Sequence, residues 1–324
     1  MVNCAVVGLG WMGRIRVAAL RDIGDARLTA CCDVDPDAAG LVAEGVRFST
    51  DFAEIVTTDD VDAVFVSTPD GLHREAVIAA LRAGKYVFCE KPIATTLADA
   101  DAMVAADPGG RLVIGHSLRS DPRYVAVQQR AREGALGAPI HTFTRRNWPV
   151  SEGRRQQDQT TLPLYLAVHD LDALQWIIGS PIVEVYGVAS ETEVLGLKAT
   201  ASIVATLRFA NGCVGAHETS WALPDQAGLS NGDHALAYVG VDGCAYLTER
   251  DHGVVINGAG AVEYPDAMNT GMYAAETARF IATARDALPP LVSGPEGRAA
   301  LAAALALQES LTSRGPVAVD GSMR

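Results

Sequence analysis

The 324-residue chain lacks the features that would indicate a membrane protein, a nucleic-acid-binding protein or a metalloenzyme. No stretch approaches the ~18 uninterrupted apolar residues of a membrane span. The formal net charge of −13 argues against the basic surface that nucleic acid requires. Seven histidines show no HExxH or comparable ligand spacing, so no metal is expected. The first residues run directly into an apolar stretch without a basic segment, so no signal peptide is expected.

The cysteines also lack a pairing pattern. There are six, none in a CxxC motif, and most lie in apolar, strand-like runs. The adjacent Cys31 and Cys32 would point to opposite faces of a strand. We therefore expect free thiols and a reducing, cytoplasmic location.

The first part of the chain has the alternating pattern of an α/β domain. Apolar runs alternate with amphipathic segments such as Met12–Arg21, which predicts a doubly wound parallel sheet of the Rossmann type. At about 150 residues per domain the chain allows two domains, which we place at 1–118 and 119–324. The predicted strands of the first domain are Cys4–Val7, Leu28–Cys32, Ala63–Val66, Tyr86–Cys89 and Leu112–Ile114.

A glycine motif, GLGWMG at Gly8–Gly13, follows the first strand and opens a helix. Gly8 permits the tight turn, Gly10 allows close approach of a pyrophosphate, and Gly13 allows close packing of helix on strand. Trp11 and Met12 lie at the helix N-terminus, where free N–H groups favour an anion. The motif predicts dinucleotide binding, and the alternative is a tight turn without a ligand.

Asp33 ends the second predicted strand and bears on the choice of cofactor. A carboxylate at this place accepts hydrogen bonds from ribose hydroxyls and repels a 2′-phosphate. The next residues add Asp35 and Asp37, and the first arginine downstream is Arg47. NAD is therefore expected rather than NADP. The alternative, that Asp33 only caps the next helix, is weaker because Asp35 is better placed for capping.

Lys91 lies at the end of a later strand of the same predicted sheet, in Glu90-Lys91-Pro92. Ligands of open α/β sheets bind outside the carboxyl ends of the strands. Lys91 is therefore a candidate catalytic residue.

The second part of the chain predicts a sheet with several helices. Asn211-Gly212 between two strand-like runs is a hairpin signal, so part of this sheet is expected to be antiparallel. The polar segment Ser151–Thr161 is expected to be a loop. Helices are predicted at about Arg123–Glu133, Pro163–Ile178, Tyr273–Ala287 and Pro295–Ser313, and strands at Ile140–Arg145, Val183–Ser190, Ala201–Phe209, Cys213–Trp221, Ala235–Val239 and Cys244–Thr248.

The helix Pro163–Ile178 carries an unusual polar stripe. Tyr165, His169, Asp172 and Trp176 recur at i, i+4, i+7 and i+11, which places them on one face. Tyrosine, histidine and tryptophan are not typical of a solvated face, so the stripe predicts the wall of a binding site. A solvated helix face and a hydrogen-bonded core histidine are the alternatives.

Four motifs together resemble the Gfo/Idh/MocA oxidoreductases, the family of glucose–fructose oxidoreductase and myo-inositol dehydrogenase. The resemblance covers nearly the whole chain, because the motifs follow one another in family order and spacing. They are GLGWMG (Gly8–Gly13), STPDGLH (Ser67–His73), KYVFCEKPIA (Lys85–Ala94) and HDLD (His169–Asp172).

The resemblance implies a Rossmann domain followed by an α/β domain with an open, mostly antiparallel sheet that often mediates dimers or tetramers. It implies NAD(P)-linked oxidation or reduction of a sugar or cyclitol, a small-molecule substrate. It adds four residues to the cofactor-binding set: Thr68, Pro69, His73 and Glu90.

The resemblance assigns the chemistry to Lys91 and His169. An imidazole, with an ordinary pKa of about 6.5, suits the acceptance of the hydroxyl proton. A lysine ammonium on the same oxygen would stabilise developing alkoxide charge. Asp172 would either orient the histidine ring or serve the structure only.

The chain departs from the family pattern at Tyr165, where inositol-dehydrogenase-like members carry Asp. This puts myo-inositol itself in doubt as substrate, and Tyr165 is expected to contact a sugar or cyclitol. Asn147 and Trp148 match a region that lines the substrate pocket in relatives. Arg119 and Tyr124 are weaker candidates.

Three function classes stay open. The first is an NAD-dependent dehydrogenase or ketoreductase acting on a cyclitol, sugar or sugar nucleotide. The second is a glycosidase or epimerase that retains NAD and reuses it in each turnover. The third is a non-catalytic sensor that binds a dinucleotide and a partner protein.

Overall fold

The computed structural model describes residues 1–190, 196–197, 200–225, 232–248, 253–258, 261–263 and 271–321. In the first part of the chain short strands alternate with helices. The strands are β1 (Val2–Val7), β2 (Ala26–Cys32), β3 (Arg47–Ser49), β4 (Ala63–Val66), β5 (Tyr86–Glu90) and β6 (Leu112–Gly115). The α-helices are α1 (Trp11–Arg21), α2 (Ala53–Val56), α3 (His73–Arg82) and α4 (Leu97–Ala105), with 3₁₀ turns at Pro36–Leu41, Asp70–Leu72 and Ser117–Ser120.

The rest of the chain is richer in strands. These are β7 (Pro139–Pro149), β8 (Ile182–Ala189), β9 (Ser202–Phe209), β10 (Val214–Leu223), β11 (Asp233–Gly240), β12 (Cys244–Thr248), β13 (Gly253–Gly258), β14 (Ala261–Glu263) and β15 (Val317–Ala318). The helices are α5 (Pro122–Arg132), α6 (Val150–Gln156), α7 (Val168–Ile178), α8 (Met272–Asp286) and α9 (Gly294–Ser313). A π-helical turn, Pro163–Ala167, directly precedes α7.

Strands β1 to β6 form a parallel sheet in the order β3-β2-β1-β4-β5-β6. This confirms the predicted Rossmann-type architecture. The five predicted strands are present, and β3 was not predicted because three residues are too short to show a period. Since the strands are parallel, their carboxyl ends lie at one edge of the sheet.

The other described strands form one mixed sheet, in the order β14-β13-β12-β11-β7-β10-β9-β8-β15. Strands β7 and β10 pair in parallel, and the other pairs are antiparallel. This confirms the mostly antiparallel sheet that the family resemblance implied. Strand β7, which carries two predicted substrate residues, lies near the middle of the sheet.

The chain divides into two compact units that are not continuous in sequence. The first contains Met1–Ser120 and Gly271–Arg298, and the second contains Asp121–Thr270 and Ala299–Arg324. Helix α8 belongs to the first unit because its Phe280 ring packs on Phe65 and Phe88, with centroids 4.9 and 5.5 Å away. The first unit therefore takes up a segment from late in the chain, Gly271–Arg298, in addition to its N-terminal segment.

One local prediction in the second unit was wrong. The segment Ser151–Thr161 was expected to be a loop, but helix α6 runs from Val150 to Gln156. Its composition is polar, yet Val150 and Gly153 are buried, so tertiary packing decides its conformation. The predicted helix Pro163–Ile178 is present over these residues, and its first turn is π-helical, a feature that a 3.6-residue period does not reveal.

Close backbone contact explains two of the glycines after β1. Gly8 has a φ of +91°, and a Cβ there would lie 2.6 Å from the Ser67 carbonyl oxygen. A Cβ on Gly13 would lie 1.8 Å from the Gly8 carbonyl oxygen. Because both obstructions are backbone atoms, no side-chain rotation relieves them, and α1 can pack this close only with glycine at both positions.

We expect Gly13→Ala to lower the free energy of unfolding by about 2–3 kcal/mol, since the extra methyl overpacks a rigid turn. Urea denaturation followed by circular dichroism measures the change. Gly24→Ala is the control, because a Cβ at Gly24 meets no atom within 4 Å. Equal stability of the two variants would contradict the predicted packing.

Candidate functional site

The glycine loop leaves the N-terminus of α1 uncovered. The Gly8 N–H donates to the Cys32 carbonyl at 2.8 Å, which holds the loop against β2. Gly10 is the N-cap of α1, and no side chain caps this terminus. A Cβ on Gly10 would meet no atom within 4 Å. The first-turn N–H groups and the helix dipole therefore form a cradle for an anion such as pyrophosphate.

The two residues after Gly10 differ in exposure. Trp11 is 52% exposed, and its ring meets the edge of Tyr273 of α8 at 6.3 Å between centroids. Met12 is half-buried. Both lie in the first turn of α1, beside the proposed anion cradle.

Asp33 is bound to the glycine loop. Its Oδ2 accepts from the Leu9 N–H at 2.7 Å, and its Oδ1 accepts from the Asp35 N–H at 3.0 Å. A carboxylate has about four lone-pair sites, so each oxygen retains one for a further donor such as a ribose hydroxyl. Asp35 caps the following 3₁₀ turn by accepting from the Asp37 N–H. Capping is thus the role of Asp35, as the sequence predicted.

The segment after β4 offers two unsatisfied hydroxyls. Ser67 Oγ and Thr68 Oγ1 are both buried and have no hydrogen-bond partner in the protein. Pro69 is exposed, whereas the ring of His73 is fully buried. His73 Nε2 lies 3.0 Å from the Thr68 carbonyl and Nδ1 lies 3.1 Å from the Pro92 carbonyl. His73 therefore joins this segment to the one that follows Lys91.

Lys91 directly follows β5 and is half-buried. Its peptide bond with Pro92 is cis. In the parallel sheet β4 lies between β1 and β5, so the end of β5 is about 10 Å from the glycine loop at about 4.8 Å per strand. Lys91 and the anion cradle therefore lie at the same edge of the sheet.

A buried arginine holds Glu90, the neighbour of Lys91. Arg16 of α1 is fully buried and donates to Glu90 Oε1, with Nε at 2.9 Å and Nη2 at 2.8 Å. It also donates to Glu276 Oε2 at 2.7 Å and to Thr277 Oγ1 at 3.0 Å, both on α8. The guanidinium thus connects α1, the end of β5 and α8.

The electrostatic environment keeps Arg16 charged. Burial opposes the charge, but the carboxylates of Glu90 and Glu276 outweigh it and raise the pKa of Arg16 above its usual range. The guanidinium carbon also lies 4.4 Å from the centre of the Phe88 ring. The sequence pattern contained a signal for this cluster, because Arg16 shares the apolar face of α1 with Gly13, Val17 and Leu20.

The second unit carries His169 in the first turn of α7. Its ring is half-buried, whereas the next residue, Asp170, is fully buried. Asp170 accepts from Arg146 of β7, with Nε at 2.5 Å and Nη2 at 3.3 Å. Asp172 is also buried, at 1% exposure. The two aspartates therefore face inward, and the bond from Arg146 to Asp170 holds the start of α7 on the sheet.

Arg146 belongs to a buried polar network beneath α7. Its Nη2 donates to the Tyr124 hydroxyl at 3.2 Å. Burial opposes the charge of Arg146, yet Asp170 outweighs it and raises the pKa of the guanidinium. Burial raises the pKa of Tyr124 and lowers that of the neighbouring His217. Tyr124, a weaker substrate candidate, thus lies in the interior and supports the helix that carries His169.

The two predicted substrate residues of β7 point to opposite faces of the sheet. Successive side chains of a strand alternate, so Trp148 shares the face of Arg146, on which α7 packs. Its indole N–H donates to His234 Nε2 at 3.1 Å, which makes that nitrogen the acceptor. Asn147 lies on the other face, with its amide bound to Glu218 at 2.5 Å and its Oδ1 buried without a hydrogen-bond partner.

Tyr165 lies in the π-turn and is half-buried. Its hydroxyl donates to the carboxylate of Glu152 on α6. A carboxylate therefore lies beside the Tyr165 hydroxyl, and it comes from another helix. No sequence pattern indicated this contact, because Glu152 lies in a segment that was expected to be a loop.

The remaining candidate, Arg119, has a partner in the first unit: its Nη1 donates to Glu296 Oε1 at 2.6 Å.

Among the described residues no group of three or more His, Cys, Asp or Glu side chains could hold a metal ion. In the same ranges no helix has the length and apolarity to cross a membrane. All six cysteines are free thiols, five of them buried.

Both parts of the chain match known protein domains. Residues 2–113 match the NAD-binding Rossmann fold of an oxidoreductase family, and residues 124–244 match the C-terminal domain of the same family. The chain belongs to the Gfo/Idh/MocA family.

Members with similar sequences include inositol 2-dehydrogenases. The protein of Acidothermus cellulolyticus is 32% identical over 98% of this chain and 94% of its own length. Inositol 2-dehydrogenase 2 of Paenarthrobacter aurescens is 35% identical, over 57% of this chain and 58% of its own length. Two more inositol 2-dehydrogenases, from Saccharopolyspora erythraea and Rubrobacter xylanophilus, also match. The matched part of this chain spans little more than half the length of each of these three relatives.

The fold has counterparts among solved structures. A probable dehydrogenase from Thermotoga maritima superimposes with a TM-score of 0.82 at 27% identity, covering 98% of both chains. The agreement extends over both compact units of this Gfo/Idh/MocA protein.

The first unit fits the NAD that the family binds. The uncapped terminus of α1 suits the pyrophosphate, Asp33 suits a ribose diol, and Ser67 and Thr68 offer hydroxyls that lack a protein partner. The side chain absent at Gly10 leaves room for the anion. These features distinguish a binding loop from a tight turn without a ligand.

We expect Gly10→Ala to weaken NAD binding at least about tenfold, a loss of about 1.4 kcal/mol, while stability stays within about 0.5 kcal/mol of wild type. The added methyl meets no protein atom and obstructs only the bound anion. Titration calorimetry with NAD and thermal unfolding without it give the two values. Unchanged affinity would show that the pyrophosphate binds elsewhere.

We expect Asp33→Ala to weaken NAD binding about tenfold or more, because charge-assisted hydrogen bonds contribute about 1.5–3 kcal/mol. NADP should lose less affinity, since a repelling carboxylate disappears. Asp35→Ala removes the same charge two residues away and serves as the control. An NADP-to-NAD affinity ratio that Asp33→Ala leaves unchanged would refute the role of Asp33.

Proposed function

We propose that this protein is an NAD-dependent dehydrogenase that transfers a hydride between the nicotinamide and a secondary alcohol carbon of a cyclitol or sugar. The observation that carries the proposal is the position of Lys91, at the edge of the sheet where the glycine loop and Asp33 lie. The half-buried His169 on α7 supplies an acid–base group. The names of the related inositol dehydrogenases support the substrate class.

In the proposed reaction, NAD held at the glycine loop by the uncapped N-terminus of α1 and by Asp33 would supply the acceptor for the hydride of the alcohol carbon. His169 accepts the proton of the same hydroxyl group, so that a ketone forms with atoms and charges balanced. The Lys91 ammonium donates a hydrogen bond to that oxygen and stabilises its negative charge. In the reverse direction His169 returns the proton to the oxygen of the ketone.

Two buried arginines position these groups in the proposal. Arg16 holds Glu90 and so limits the movement of Lys91. Arg146 holds Asp170 and so limits the movement of His169. Tyr165 and Trp148 are proposed to contact the substrate, because they lie on the helix-covered side of the sheet. The opposite orientation of Asn147 separates it from this group.

The assembly and location are further parts of the proposal. The face of the second sheet that carries Asn147 also exposes Val188 and Val204, which pair across β8 and β9 and are 57% and 56% exposed. Exposed apolar residues on one face favour a homodimer or homotetramer. The buried free thiols fit a reducing cytoplasm.

A screen for NADH formation with inositols, aldoses, aminosugars and nucleotide sugars tests the function. A dehydrogenase forms NADH in proportion to the product, whereas an NAD-retaining glycosidase or epimerase converts its substrate without net NADH. A sensor shows neither reaction. The dehydrogenase names of the relatives favour the first outcome.

On an active substrate we expect His169→Ala and Lys91→Ala each to lower kcat/KM about 10²-fold or more, because one loses the proton acceptor and the other the oxyanion donor. Steady-state kinetics measure this, and calorimetry with NAD shows whether cofactor binding is retained. His141→Ala, at an exposed histidine of β7, is the control. Near wild-type activity of His169→Ala would refute the mechanism.

A further inference from the structure

Glu152 is the centre of a polar cluster that includes Tyr165. Its Oε1 accepts from the Tyr165 hydroxyl, from Arg155 Nη2 at 2.5 Å and from Gln156 Nε2 at 3.2 Å. Its Oε2 accepts from Arg155 Nε at 3.1 Å. The carboxylate thus receives four donors, and the positive charge of Arg155 balances its own. These contacts give the carboxylate one orientation.

The local packing brings α6 close enough for this contact. A Cβ on Gly153 would lie 2.7 Å from Trp221 Cβ, so only glycine lets α6 approach β10 here. The Tyr165 ring lies 6.0 Å from the Trp221 ring, centre to centre. Trp221 is fully buried and therefore supports both α6 and the π-turn from behind.

Tyr165 keeps access to solvent although Trp221 covers it on one side. Its ring is half-buried, and the Glu152 side chain retains 13% of its exposure. A tyrosine that served packing alone would not require a hydrogen bond to a carboxyl group on a second helix. The hydrogen bond between Glu152 and Tyr165 instead holds a partly solvent-exposed phenol four residues before His169, on the same helical segment.

We infer that Glu152 is a positioning residue: it fixes the hydroxyl and ring of Tyr165 so that Tyr165 binds an uncharged, hydroxyl-bearing ring of the substrate beside His169. The inference rests on the proposed function. The hydrogen bond that the Tyr165 hydroxyl donates to Glu152 sets the torsion of that hydroxyl. The backbone of the π-turn at one end and this hydrogen bond at the other restrain the two χ angles of the side chain. A pre-ordered phenol binds substrate without the entropy cost of ordering it.

The role of Glu152 predicts a dependence on Tyr165 that a stabilising ion pair would not show. We expect Tyr165→Phe to raise KM about 3–10-fold with kcat within about twofold, the range for one lost hydrogen bond. Glu152→Gln should raise KM about 2–5-fold in the wild-type background, because the neutral amide is a weaker acceptor for the phenol. In the Tyr165→Phe background the same change should alter KM by less than about 1.5-fold.

Glu133→Gln is the matched control. Glu133, the C-cap of α5, pairs with Arg130 three residues away, as Glu152 pairs with Arg155. The side chains of Arg130 and Glu133 are 39% and 60% exposed, and this ion pair contains no tyrosine. Its KM should equal the wild-type value. If Glu152→Gln raised KM equally with and without the Tyr165 hydroxyl, or left it unchanged in both, Glu152 would not act through Tyr165.

A spectroscopic readout separates this inference from the proposed function. In protein labelled with ¹³Cζ-tyrosine, the resonance missing in Tyr165→Phe identifies Tyr165. It should shift in Glu152→Gln and stay in place in Glu133→Gln, and an unmoved resonance in both would overturn the inference. If the wild type oxidised no polyol but the resonance shifted, the pairing would stand and the dehydrogenase proposal would fall.

Discussion

The ion pairs of Arg16 are the interaction on which the cofactor-binding unit depends most. A guanidinium without solvent exposure is tolerated only when its charge and its donors are satisfied. Arg16 meets this condition with Glu90 from β5 and Glu276 and Thr277 from α8. Removal of one partner would leave a buried charge, at a cost of about 3–5 kcal/mol. The glycine helix, the strand end before Lys91 and the returning helix are therefore held in one arrangement.

The second unit has a similar buried ion pair at α7, the helix that carries His169. Arg146 and Asp170 are both buried, and their bond connects the central strand β7 to the first turn of α7. His169 precedes Asp170, so the backbone that this ion pair holds in place carries the half-buried imidazole. The two proposed catalytic residues, Lys91 and His169, therefore have similar surroundings. Each side chain is half-buried, and its neighbour in sequence, Glu90 or Asp170, forms a buried ion pair with an arginine. Such pairs contribute more to geometry than to net stability.

The parallel sheet could be predicted because its signals are local. Fully apolar runs such as Ala63–Val66 and the glycine motif after β1 depend on residues close in sequence. Strand β3 and helix α6 could not be predicted in the same way. The first is too short for a period, and the second is polar but is held by the contact of Gly153 with Trp221. The Arg16 cluster could be predicted only in part. The sequence shows an arginine on the apolar face of a helix, but its partners Glu90 and Glu276 lie 74 and 260 residues away.

The amino-acid sequence by itself determined the family, the Rossmann-type sheet, the preference for NAD and the identity of the candidate residues Lys91 and His169. These follow from short motifs whose spacing is set by one turn or one helix. The tertiary structure decided what surrounds them: the return of α8 to the first unit, the bond between Trp148 and His234 of β11, and the carboxylate that Glu152 brings to Tyr165. Such contacts join segments that are distant or differently folded, and their energies depend on burial and packing, which no local pattern records.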